Sequence, residues 1–252
     1  MDYAQRIDAV AGELSTIVSA VAAGDPSARV PTCPDFSLDD LAAHVGEFCG
    51  FWSHVLCEGT GRPKTPYSTD VGPEGRAAWL ADLAGHLVAE LRVAGPDREV
   101  WTWHPTDHTA TFVARRANHE TAVHRVDVQL AATGSADEVA PADLAADGID
   151  EVFMLAATGA ADPRTASRRE PDARLGQTLA LEATDHEAAS WLIRLDPGGM
   201  RAARGTGAAD LTLRGTVSDL EMTLYQRPAR GPIERIGDAA VLDLFHREFT
   251  FA

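Results

Sequence analysis

The chain has 252 residues, and 22 basic against 38 acidic side chains give it a formal net charge of −16 at pH 7. A surface of that sign repels phosphate backbones and anionic headgroups, which excludes sequence-independent nucleic-acid binding and a polybasic membrane anchor. With 45% hydrophobic and 24% charged residues the composition is that of a globular protein, long enough for one large domain or two small ones.

No run approaches the roughly 20 apolar residues of a membrane span, and the opening residues lack the basic and apolar regions of a secretory signal. A cytoplasmic location is expected. Cys33, Cys49 and Cys57 are odd in number and show no Cys-x-x-Cys spacing, so reduced thiols are expected rather than a disulfide framework or a cysteine zinc knuckle.

In chain order, Ile7, Val10, Leu14, Ile17, Val18 and Val21 recur at three- and four-residue steps and predict a helix over 3–23, stopped by Gly24-Asp25-Pro26. Residues 31–34 read as a loop. Ser37 followed by Asp40 forms a capping box for a second helix running to about Cys57. Residues 59–73, rich in Gly, Pro, Ser and Thr, read as a linker loop, and 77–93 as a third helix. Residues 100–105 read as a short extended aromatic segment closed by Pro105. A long helical pattern covers 109–132 and ends at Gly134, and another helix covers 141–160.

Texture changes at 159–174, which is small, charged and polar as a domain boundary would be. Beyond it, 178–183, 191–195 and 210–214 read as strands, 197–199 as a turn, and 218–225 and 239–245 as helices. The expected organisation is a helical bundle over 1–163 followed by a small α+β domain over 172–252.

Chemistry concentrates in Arg115 to Asp127. Glu120 and His124, four apart, share one helix face with Val113, Ala117 and Val123. A carboxylate and an imidazole on an apolar face need a partner or a cation. His119-Glu120 with His124 is not a His-Glu-x-x-His zinc motif, because the two histidines are five apart and so about 140° apart around a helix. His44 lies in the apolar stripe of the second helix. If the two helices face one another, His44, Glu120 and His124 form a two-histidine, one-carboxylate set suited to Zn²⁺ with an open fourth position, and Asp127 can orient His124 from behind. Spacing alone equally allows a helix-surface Glu–His pair and a satisfied core histidine at position 44. Cys33, in a loop before a helix, reads as structural, with no base evident beside it.

The segments Pro31-Thr32-Cys33-Pro34-Asp35-Phe36 through His44, Val100-Trp101-Thr102-Trp103, His119-Glu120 through Asp127, and Asp147-Gly148-Ile149-Asp150-Glu151 together resemble the mycothiol-dependent maleylpyruvate isomerase family of actinobacteria. The likeness extends more weakly through Leu213-Arg214-Gly215-Thr216-Val217-Ser218-Asp219-Leu220. Phe36 and Val126 stand where the family usually has Trp.

The resemblance implies a DinB-like four-helix bundle followed by a small sterol-carrier-like α/β domain, with zinc held by His44, Glu120 and His124 and mycothiol as thiol cosubstrate. It also implies an isomerase or thiol S-transferase acting on a small molecule. Arg227 is the expected catalytic and thiol-binding arginine, with Arg214 and Arg125 as weaker candidates. A single lysine, Lys64, and abundant alanine accord with an actinobacterial source. A monomer or homodimer is expected. A metal-dependent hydrolase and a non-catalytic zinc- or thiol-responsive binding protein remain the alternatives.

Overall fold

The computed structural model describes residues 1–59, 61, 71–136, 140–157, 175–196 and 199–249. The linker loop expected at 59–73, the boundary segment at 159–174 and the turn at 197–199 fall largely outside the described residues. The chain divides into two compact units, Met1–Val139 and Ala140–Ala252.

The first unit holds α1 (Tyr3–Ala23), a short antiparallel pair β1 (Arg29–Val30) and β2 (Cys33–Ser37), α2 (Leu38–Glu58), α3 (Pro73–Ala94) and α4 (Ala110–Thr133). Its helices start where local chemistry says they should. Asp2 with Gln5 caps α1 and Ser37 with Asp40 caps α2, each as a reciprocal box. Gly72 and Pro73 open α3 a turn earlier than periodicity predicts, because proline fits the first helical position. Thr109 caps α4, and Gly134 ends it in the left-handed region at φ 76°. Cys33, expected in a loop, begins β2. The extended segment expected at 100–105 is irregular, with a single bridge between Glu99 and Thr109.

Helix α1 packs against α3 and α4, and α2 packs against the same two. The Tyr3 hydroxyl donates to Leu91 O at 2.6 Å, so the start of α1 meets the end of α3. Arg76 pairs with Asp39 at 3.0 Å, bringing the starts of α2 and α3 together. The bundle therefore runs α2 and α3 alongside in one direction, with α1 opposed to α3. The face of α1 carrying Ile7, Val10, Leu14, Ile17 and Val21 is buried as periodicity predicts. Helix α4 is the central element, buried almost throughout 110–128.

Helices α2 and α3 approach closely at Gly46, where a β-carbon would stand 2.1 Å from Trp79 Cζ3. Gly46→Ala is therefore expected to lower stability by about 1–3 kcal/mol, against alanine's helix preference, because the Trp79 ring must move. A urea titration showing an unchanged or raised midpoint would contradict this packing.

The second unit holds α5 (Ala142–Ala157), β3 (Thr178–Ala183), β4 (Ser190–Asp196), β5 (Gly199–Arg204), β6 (Leu211–Gly215), α6 (Val217–Leu224), β7 (Glu234–Gly237) and α7 (Ala240–Glu248). Its sheet runs β5-β4-β3-β6-β7, with β3 and β6 parallel and the other neighbours antiparallel. Trp191, Ile193 and Leu195 alternate inward on β4, as do Leu211 and Leu213 on β6. Strands β5 and β7, short and polar, give no alternation to read.

Helix α5 groups with this sheet, whereas composition placed it in the bundle and the boundary after residue 163. Side chains account for the difference. Trp191 Nε1 donates to Asp150 Oδ1 at 2.8 Å, and Arg204 bonds Asp150 at 2.7 Å while lying 5.0 Å over the Trp191 ring. Helix α5 also packs on α6.

Between α5 and α6, burial and then the charges of Glu151 and Asp147 push the Glu221 carboxyl well above its ordinary value. A raised folded-state value contributes stability that is complete below the unfolded value near 4.5 and is lost as pH rises through the folded one. Glu221→Gln is expected to remove that loss, giving a protein more resistant to heat at pH 8 and a flatter melting profile against pH. An unchanged profile would show that Glu221 titrates normally.

Candidate metal centre

Helix α2 contributes His44, and α4, antiparallel to it here, contributes Glu120 and His124 one turn apart. Glu120 Oε1 lies 3.3 Å from His44 Nε2 and 3.4 Å from His124 Nε2. The imidazoles meet edge to face with centroids 5.0 Å apart. One donor atom from each of the three side chains falls within 4.8 Å of the others, the one such group among the described residues. His119, although buried, is not in it, as the helical angle requires.

Each donor is oriented by a further group. His124 Nδ1 lies 3.0 Å from Asp127 Oδ2. A carboxylate can only accept, so Nδ1 carries a hydrogen, which leaves Nε2, turned toward Glu120 and His44, as the nitrogen able to coordinate a cation. Asp127 is fully buried; its other oxygen accepts from Thr32 Oγ1 at 2.6 Å, and Cys33 Sγ stands 3.9 Å from Oδ2. The loop before α2 thus locks the back of the site. Arg116, one turn before Glu120, forms an ion pair with Glu120 Oε2.

Burial opposes ionisation of Glu120, but the Arg116 guanidinium, His124 and His44 outweigh it and hold the carboxyl well below the usual range. Burial likewise pulls His124 down, yet the Glu120 charge and the bond to Asp127 push it up to about 9. Without a cation, His124 therefore carries a proton that a metal must displace. Side-chain exposure is 34% for His44 against 4% for His124 and 9% for Glu120, so the group is reached from solvent on the His44 side. Two imidazole nitrogens and one carboxylate oxygen at this spacing, on a tautomer fixed from behind, are a donor set that could hold a divalent cation.

Residues 7–129 match the family described as mycothiol maleylpyruvate isomerase N-terminal domain. The match lies within the first unit and marks its similarity to that family. Solved structures share the fold over both units. A mycothiol-dependent maleylpyruvate isomerase aligns with a TM-score of 0.64 at 15% identity over 93% of each chain. A histidine-to-alanine mutant described under the same name aligns at 0.65 and 13% identity, again over 93% of each. At those identities the likeness concerns the fold. No curated protein sequence matches the chain.

The arginines expected to act on thiol or substrate have distinct settings. Arg227 follows α6, whose end is a Schellman turn: Arg227 N donates to Met222 O at 2.8 Å and Gln226 N to Thr223 O at 3.1 Å. Gln226 occupies the left-handed position, φ 61°, that glycine usually takes. The turn sends the Arg227 side chain back, where it donates to Tyr225 O at 2.7 Å. It lines a cavity of about 530 Å³ with Gln226, Arg235, Leu242 and His246. Asp219 ties down the following loop by accepting from Arg230 N at 2.7 Å and Gly231 N at 3.2 Å.

Arg214 instead sits on β6 across from Glu234, 4.0 Å away and half exposed. Arg125 joins α4 to α1 through Glu13 at 2.5 Å and bonds Gln129. Arg125 thus ties two helices together, whereas Arg214 faces solvent on its strand.

Sequence reasoning passed over Arg116 and Thr32. Arg116 carried a readable signal, the four-residue step to Glu120. Thr32 carried none, since it is 95 residues from Asp127. Of the cysteines, Cys49 is buried and its thiol is pushed up chiefly by that burial, which makes it inert.

Proposed function

We propose that this chain is a zinc-dependent, mycothiol-using enzyme of the maleylpyruvate isomerase type, acting on a small molecule by cis–trans isomerisation or thiol S-transfer. The observation that carries the reading is the convergence of His44 Nε2, Glu120 Oε1 and His124 Nε2, with His124 fixed by Asp127 and access left beside His44.

The bound ion would supply acidity enough to present a thiol as thiolate, its proton passing to solvent; the thiolate would add to an activated cis double bond and, after rotation, either leave again as the double bond re-forms or stay in the product once the resulting enolate takes up a proton. His44 and His124 serve as neutral ligands, so the single charge of Glu120 leaves the centre net positive. Asp127 holds His124 with Nε2 forward. Phe36, with its ring centroid 6.0 Å from that of His44, forms one apolar wall of the approach. Arg227 is our choice for contact with an anionic group of the thiol or substrate, since a guanidinium fork matches a carboxylate.

Metal analysis of the purified protein, combined with mycothiol-dependent turnover of maleylpyruvate, tests the reading. One Zn²⁺ per chain and turnover that requires mycothiol are expected, both lost in His44→Ala. Turnover by metal-free protein, or metal-dependent hydrolysis indifferent to mycothiol, would replace it. Arg227→Lys is expected to raise KM for mycothiol or substrate on the order of tenfold with metal content intact, because the fork is lost and the charge kept. An unchanged KM would leave Arg227 as a helix cap.

A further inference from the structure

Helices α2 and α4 carry a second layer one turn beyond the donors: Phe48 follows His44 by one turn, and Arg116 precedes Glu120 by one. The Arg116 guanidinium carbon lies 5.9 Å from the Phe48 ring centroid, and its side chain is 15% exposed. It is thus held between an aromatic face and Glu120 Oε2, in a setting too dry for the pair to be a solvated surface bridge. The two carboxylate oxygens of Glu120 have separate tasks. Oε2 is committed to Arg116, while Oε1 stands at nearly equal distance from both histidine nitrogens.

We propose that Arg116 is a positioning residue for the centre, which restricts Glu120 to ligation through Oε1 alone and adds a positive charge to the field felt by an incoming thiol. This rests on the metal reading above. A carboxylate released from Arg116 can swing both oxygens toward a cation, filling the position that a thiol needs and donating more charge to the ion. Both effects weaken thiolate binding. The arginine therefore keeps the position open, which a hydrophobic residue of the same length cannot do.

Full-length protein exchanged with Co²⁺ reports coordination directly, because its visible absorption weakens as the number of ligands rises from four to five. Mycothiol serves as probe through its sulfur-to-cobalt band in the near ultraviolet. Wild type is expected to show the stronger spectrum once mycothiol is bound. Arg116→Met is expected to keep one Co²⁺ per chain, shift to the weaker five-coordinate spectrum and bind mycothiol on the order of tenfold less tightly at pH 7. Arg116→Lys, which keeps the charge, should restore most of that affinity.

An Arg116→Met protein with wild-type spectrum and mycothiol affinity overturns the proposal. Should the methionine variant not fold, zinc-minus-apo difference infrared spectra of wild type decide the matter. The wide splitting of carboxylate stretches expected for one-oxygen ligation supports the proposal, and the narrow splitting of a two-oxygen mode overturns it. Wild type that takes up neither Co²⁺ nor Zn²⁺ removes the metal reading and this inference with it, a result distinct from either outcome for Arg116.

Discussion

Replacing His124 by alanine is expected to strip the protein of stoichiometric metal and of mycothiol-dependent turnover together. The imidazole is one of two nitrogen donors, and its side chain is only 4% exposed, so solvent cannot readily take its place. Changes to groups behind a ligand already cost about 10–100-fold in metal affinity, so loss of a ligand should exceed that range. The fold should survive, because Glu120 keeps Arg116 and Asp127 keeps Thr32.

The metal-free protein should nonetheless lose about 3 kcal/mol, the scale for breaking a buried pair from one side. That loss is pH-dependent. A histidine raised from 6.5 to about 9 contributes stability that is complete below 6.5 and fades as pH rises through about 9. The part of the deficit of His124→Ala that comes from the protonated imidazole should therefore, in the metal-free state, be largest in mild acid and fade in alkali. His119→Ala is the control, expected to keep its metal. Zinc retained by His124→Ala, or lost equally from His119→Ala, would refute the site.

Asp127→Asn is expected to act without touching any ligand. Thr32 Oγ1 can still donate to the amide oxygen, as it does to Asp127 Oδ1 at 2.6 Å. That choice turns the amide NH₂ toward His124 Nδ1, which must then accept, so the hydrogen moves to Nε2 where the metal should bind. A fall of about 10–100-fold in zinc affinity is expected, measured by competition with a chromophoric chelator, with a stability change of about 1–3 kcal/mol. Unchanged affinity would show that Asp127 does not set the tautomer.

Helix α1, the capping box at Ser37 and the shared face of Glu120 and His124 were legible because each depends on residues close in sequence or on one helical period. His44 is the instructive donor. Its own helix shows only a polar residue in an apolar stripe; membership of the site follows from α2 lying against α4, which resemblance supplied and spacing did not. The placement of α5 was misread because its partners, Trp191 and Arg204, lie some 40 to 54 residues away. The left-handed Gln226 was invisible for a different reason. Glycine is the signal for that turn, and here packing of the cap enforces it without glycine.

His44 and Glu120 are 76 residues apart in the chain. A cation shared between them would close a loop comprising most of the first unit and so act as a reversible cross-link, removing conformations from the unfolded chain much as a disulfide does. Chelation would then do more than stop catalysis. It would lower the melting temperature of the bundle by an amount that grows with free zinc concentration in the holo sample, through mass action on the native state. In a cell, supply of the metal would set how much of this protein persists as well as how much of it works.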